Sequence, residues 1–398
     1  MSTQGGFGVF GGFGGFGGFG GFGGFGGFGG FGGFGGFGGF GGAPAGYDNG
    51  ALVQHRDGIV GSWLTPTSYP AQLPEEAAGA TANLHRWEPW VRAALFDFDL
   101  FSRLHFAPEN NGYTLWDISL TPASQPAAVA PSRIVRLIRP GNLDLASNKF
   151  WEKQLDIVAS WADLRAERVA EILAQLTPPV TFWSSIVNLH PERHKWTLEL
   201  IWAALRLANH VEMRFKHALA CRRPVEMSPQ VQPMILTPGH GSLPSGHATE
   251  AHTVAYLLWQ LLSAADATKQ LPWFEQLMRQ AARIAINRTI AGVHFPVDSV
   301  AGQVLGLALG EYFVHRATQA ASPYTSWEFD GSKYLGTLDF EWRELYIKST
   351  ADRKTNAADA DPAKCPPPYG MPINVAAEKS AGSEPLAWLW SRAKGEWQ

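Results

Sequence analysis

Cysteine is nearly absent. Cys221 and Cys365 are the two thiols in 398 residues, too few and too far apart to form a disulfide framework, and they permit a reducing compartment. An excess of one charge is also missing: the formal net charge is -3 and the pI is near 6.5, which argues against the basic surface of a protein that lives on nucleic acid. Long apolar runs are lacking too. The most apolar stretches, 254–265 and 304–309, fall short of the ~18 to 20 residues that a bilayer span needs. The N-terminus carries no basic segment followed by an apolar one and a cleavage site, so it does not read as a secretory signal. The expectation is a soluble protein, cytoplasmic by default, with no membrane span and no nucleic-acid partner.

What is present begins with residues 5–42, almost pure Phe-Gly-Gly, with phenylalanine at every third position from Phe7 to Phe40 and Val9 as the interruption. Glycine at that spacing resembles collagen, but the tract has no proline to preset the extended helix. Glycine at this density costs too much conformational entropy to order, so 1–44 is expected to be a disordered tail. A sharper reading makes the regular aromatic rings a self-association segment. Residues 45–145 are rich in Pro, Ala and Trp and are expected to be a helical or irregular packing region with short helices such as 89–101. Trp87, Trp90, Phe96, Phe98 and Phe101 there are read as core rather than as a stacking platform.

Helical periodicity dominates 146–320. The predicted helices are 147–176, 181–189, 195–220, 247–264, 272–290 and 297–317. With few strand patterns, the fold class expected is all-α, a helical-bundle core. Residues 321–398 read as a wrapping extension, polar at 349–366, with a last helix over 384–394 that docks back on the body.

Within the predicted bundle, Lys216 lies eleven residues after Leu205, which returns it to nearly the same azimuth as the apolar stripe of its helix. Leu277, Ala281, Ile284 and Arg288 step by four, three and four, which puts that arginine on a buried face. Inward cations need an anionic partner, either carboxylates such as Glu212 and Glu250 or a bound oxyanion. Pro244-Ser245-Gly246-His247 opens a helix, where Ser245 can cap and Gly246 lets backbone N–H groups approach a ligand at the positive end of the dipole. His294 precedes Pro296, which suits a first helical turn, and Asp298 falls in that turn.

Lys216 with Arg223-Pro224, then Pro244-Ser245-Gly246-His247, then Arg288 with His294 and Asp298, resemble in this order the signature of the superfamily that joins vanadium-dependent haloperoxidases to type 2 phosphatidic acid phosphatases and soluble acid phosphatases. Asn287 stands where the family more often has serine. The resemblance implies that Lys216, Arg223, Ser245, Gly246, Arg288 and His294 bind vanadate or phosphate, with His294 the covalent partner (the vanadium ligand) and His247 the acid-base residue. Asp298 would fix the tautomer of His294. His240, seven residues before His247, resembles a histidine of the bromoperoxidase branch that bears on halide handling, whereas Met213 departs from the tryptophan some haloperoxidases carry.

The leading expectation is therefore a vanadate-dependent haloperoxidase that oxidises halide, bromide or iodide favoured, with hydrogen peroxide, and passes halogen to a small organic acceptor where one exists. The alternative is a soluble acid phosphatase working through a phosphohistidine intermediate. A second alternative is a scaffold that self-associates through the Phe-Gly-Gly tract. A homodimer or higher homo-oligomer is expected.

Overall fold

Helix α1, Pro89–Phe101, starts on a proline, whose fixed φ suits a first turn, and leads into three short strands: β1 (Leu104–Glu109), β2 (Gly112–Asp117) and β3 (Ser132–Ile138). The computed structural model describes residues 79–118, 131–141, 149–177, 179–320, 323–345, 374–378 and 380–398, together with 54–55 and 58–59. The Phe-Gly-Gly tract and the polar stretch 349–366 lie outside the described residues. Two units divide the chain, Met1–Arg92 and Ala93–Gln398, and every residue of the candidate site belongs to the second.

The described residues are mostly helical but not all-α, which corrects the expected fold class. β4 (Tyr324–Asp330) and β5 (Asn374–Glu378) complete a five-stranded sheet of order β1-β2-β3-β4-β5. β1, β2 and β3 form an antiparallel meander, β3 pairs β4 in parallel from Val135↔Trp327 to Ile138↔Asp330, and β4 pairs β5 antiparallel. These strands are hard to see in sequence because burial does not alternate along them. β3 buries Ile134, Val135, Leu137 and Ile138, two apolar pairs split by Arg136, a spacing that a short helix would share. Its β4 partner lies almost two hundred residues away. The aromatic residues in and just before α1 bring a second correction. Phe96 is fully buried, but Trp87, Trp90 and Phe98 are exposed, at 41%, 61% and 75%, so that stripe is not core.

The helices that carry the site follow as α2 (Phe150–Trp161), α3 (Arg165–Ala174), α4 (Lys195–Leu219), α5 (Gly246–Ala265), α6 (Gln270–Ile290) and α7 (Pro296–Thr318). The predicted 147–176 helix is thus broken in two by a 3-10 turn at Ala162–Leu164. The predicted 181–189 helix shrinks to a 3-10 turn and one α turn, ended by Asn188 at φ 49°. α8 (Glu384–Gly395) packs on α4 and α7. Just beyond it, Glu396 accepts hydrogen bonds from the N–H groups of Trp196 and Thr197, both at 2.8 Å, which supplies the acceptor that the first turn of α4 lacks.

α5 is the central helix, packed against α4, α6 and α7. Gly302, Gly306 and Gly310 line the face of α7 that meets it. A Cβ on Gly306 would run into the carbonyl of Thr249, and one on Gly302 would meet Ser245 O at 2.7 Å. Thr253 Oγ1 reaches both Thr249 O (2.8 Å) and Gly306 O (3.0 Å) across this contact. The backbone approach sets the N-terminus of α5 against that of α7, which is where the functional residues lie. Gly306→Ala is therefore expected to destabilise the fold by about 1–3 kcal/mol through overpacking. Thermal denaturation checks this, and an unchanged midpoint would contradict the tight contact.

Candidate active site

α4 stops at Ala220, left-handed at φ 48°, with its N–H returned to Lys216 O. The chain then doubles back so that Ser242 N–H donates to Cys221 O at 2.9 Å, while Ser245 N–H donates to Asp298 O at 2.9 Å. These two bonds bring the end of α4, the start of α5 and the start of α7 to one place. Lys216 and Arg288, both assigned to buried faces by periodicity, are each 1% exposed.

Arg223 is the crossing point. Its Nε donates to His240 O (3.1 Å), Nη1 to Val293 O (2.8 Å) and to His294 Nε2 (3.1 Å), and Nη2 to His240 Nδ1 (3.1 Å). A guanidinium donates and never accepts, so His294 Nε2 meets it with its lone pair. His294 therefore keeps its proton on Nδ1, which donates to Asp298 Oδ2 at 3.0 Å. The same Oδ2 accepts from Phe295 N–H at 2.9 Å and from Ser242 Oγ. Burial, with Arg223 and Lys216 adding to it, holds His294 well below the ordinary histidine range. Its Nε2 is thus an uncharged nucleophile at neutral pH, turned to the correct tautomer by a carboxylate. Burial lifts Asp298 to about 6, against the opposing bonds from Ser242 and Phe295.

Arg288 has the reverse problem. Nη2 donates to Gln175 Oε1 (2.9 Å) and Ile172 O (3.4 Å), but Nε and Nη1 are buried with no partner among the described residues. Burial lowers its pKa to about 10, which still leaves a full charge. His247 opens α5 next to Ser245, and its Nε2–H donates to Gln175 O at 2.6 Å. Burial, with Arg288, Lys216 and Arg223 all adding to it, depresses His247 to about 3, so all three cations bear on this ring. Ser245 caps α5, its Oγ accepting from Ala248 N–H at 3.4 Å. Gly246 is a glycine for want of room: a Cβ there would come to 2.5 Å from Glu212 Oε1.

Lys216 bonds the carbonyls of Ser242 (3.4 Å) and Pro244 rather than a carboxylate. Glu212, one turn earlier on α4, is buried with Oε2 unpartnered, and burial raises its pKa against the pull of Lys216 and Arg223. Burial and Glu212 together raise Glu250 well above its usual range. With both acids pushed toward the neutral form, the carboxylates do not cancel the three cations and the pocket stays net positive. His240, half-buried, is not a solvated loop residue. Its Nδ1 holds Arg223, and burial together with Lys216 lowers it to about 4.

The structure thus brings Lys216, Arg223, Ser245, Gly246, His247, Arg288, His294 and Asp298 together, with His240 behind Arg223. Sequence reasoning missed Ser242, Gln175 and the direct part of Glu212. Ser242 and Glu212 carried a usable signal, one lying inside the stretch before His247 and the other at i−4 to Lys216. Gln175 had none. The arrangement is a buried cationic cradle with spare donors, a nucleophilic imidazole and a second imidazole on a helix N-terminus, which suits a tetrahedral oxyanion.

Residues 197–321 match the model of the PAP2 superfamily. No curated protein shows a significant match to the chain. Among solved structures, the chain is similar to a transmembrane PAP2 type phosphatidylglycerolphosphate phosphatase from Bacillus subtilis, at 19% identity over 42% of this chain and 85% of that one, with a TM-score of 0.34. Among the described residues no helix is long and apolar enough to cross a membrane.

Proposed function

We propose that the PAP2-matching region of this chain is a phosphatase that hydrolyses phosphate monoesters through a phosphohistidine on His294. The observation that carries the reading is Arg288, a buried guanidinium whose Nε and Nη1 lack partners among the described residues. Buried donors of this kind are met by water or a ligand, and a charged guanidinium close to two further cations favours an anion. Lys216, Arg223, Arg288, the Ser245 hydroxyl and the backbone N–H of Gly246 would hold the equatorial oxygens, and His294 Nε2 would attack phosphorus opposite the leaving oxygen. With the bound anion offsetting the three cations, His247 would take up a second proton on Nδ1, give it to that oxygen, and recover it from the water that cleaves the phosphohistidine.

This reading replaces the sequence-based preference for a haloperoxidase, because PAP2 superfamily members are usually phosphatases. The weight once given to His240 also falls away: holding Arg223 accounts for that histidine without any role toward halide. The same donors fit vanadate, whose shape resembles the phosphoryl transition state, so orthovanadate is expected to inhibit.

A paired assay tests the proposal on protein stripped of phosphate. Hydrolysis of p-nitrophenyl phosphate, inhibited by orthovanadate, is expected. Bromide or iodide oxidation that titrates with added orthovanadate and peroxide, without phosphate release, would overturn it.

A pH dependence follows from Asp298. Raised to about 6, its carboxyl takes up a proton as pH falls through that value and ceases to be a charged acceptor for His294 Nδ1–H. kcat/KM is expected to fall below pH ~6. In Asp298→Asn the rate should be lower throughout and that limb should vanish. A limb that persists unchanged in the variant would assign it to another group.

A further inference from the structure

Gln175 lies at the C-terminal cap of α3, outside the residues that match the PAP2 superfamily, and is fully buried. Its main-chain carbonyl accepts from His247 Nε2 at 2.6 Å. Its side-chain Oε1 accepts from Arg288 Nη2 at 2.9 Å and from Asn287 Nδ2 at 3.1 Å. Asn287 is itself fixed, by Glu171 Oε2 at 2.9 Å and by Arg168 Nη1 at 2.9 Å. One residue thus touches both the acid-base imidazole and the uncompensated guanidinium, and a polar chain running out from it through Asn287 sets its position.

The chemical identity of that oxygen matters. A carboxylate at the same place would form a charge-assisted pair with Arg288, and in a buried site such a pair competes directly with an incoming anion. An amide oxygen orients the guanidinium with a partial charge only. The nearest carboxylate on this side, Glu171, is spent on Arg283 and Asn287. Because a carbonyl only accepts, the Gln175 main chain also keeps one proton on His247 Nε2 and leaves Nδ1 as the nitrogen that gains or loses the other.

We propose that Gln175 is a positioning residue that aims Arg288 at the bound oxyanion while leaving its charge unneutralised, and so sets the oxyanion affinity of the site from outside the matched region. The inference rests on the oxyanion-site reading above.

Calorimetric titration with orthovanadate tests it on the full chain, comparing wild type, Gln175→Glu and Gln175→Met over pH 5 to 8, with thermal denaturation to confirm folding. Gln175→Glu is expected to weaken binding about tenfold or more at pH 8, recovering toward wild type as the pH falls and the introduced carboxyl takes a proton. Gln175→Met, of similar length but without the acceptor, is expected to weaken binding about threefold or more, by the same factor at every pH. A merely structural role would give two variants with parallel, pH-independent losses, and that result overturns the proposal. So does wild-type affinity in a folded Gln175→Met, should the glutamate variant not fold. Absence of orthovanadate binding in the wild type would instead overturn the oxyanion-site reading itself, and this inference with it.

Discussion

His294→Ala is expected to lower phosphate-ester hydrolysis by about a thousandfold or more, with no phosphorylated protein recovered after an alkaline quench. The reason lies in two hydrogen bonds. Asp298 accepts the proton of Nδ1, which puts the ring's one lone pair on Nε2, and Arg223, which can only donate there, keeps that nitrogen unprotonated until the anion engages the guanidinium. The alanine variant should still bind orthovanadate, though more weakly, because Lys216, Arg223 and Arg288 remain. Turnover within tenfold of wild type, or label retained on the variant, would remove His294 from the chemistry and with it the proposed intermediate.

Arg288→Met should separate function from stability. Loss of one preorganised donor to a developing phosphoryl charge typically lowers the rate by about 10² to 10³-fold, and kcat/KM should fall on that scale. The fold should not suffer. Arg288 is 1% exposed, and among the described residues it has no carboxylate partner, so its burial penalty is not offset by an ion pair. An apolar side chain of similar length removes that penalty, and stability should be unchanged or raised by about 1 to 3 kcal/mol. Combined kinetics and denaturation decide the matter. A variant with wild-type activity, or one markedly less stable, would mean that the guanidinium is structural and that its two orphaned nitrogens serve no ligand.

Much of the site could be read from sequence because its signals are local. Lys216 and Arg288 sit on buried faces because helical period fixes azimuth once apolar neighbours are known. Ser245 caps α5, and Pro296 starts α7, because the rules for helix ends involve only neighbouring residues. The same locality explains why α4, α5, α6 and α7 fall within two residues of their expected limits.

What the tertiary structure alone decided involves partners distant in the chain. The sheet was missed because β3 finds β4 across the whole helical core, and a strand with two apolar pairs split by one arginine looks like a helix face until its partner is known. The aromatic residues in and just before α1 were misread because periodicity says which residues share a face, not whether anything covers it. The tautomer of His294, the hold of His240 on Arg223 and the reach of Gln175 to both His247 and Arg288 each depend on a hydrogen bond between segments that only packing brings together. Sequence by itself determined which residue types stand at which helix ends; folding decided which lone pairs and which charges those residues leave free.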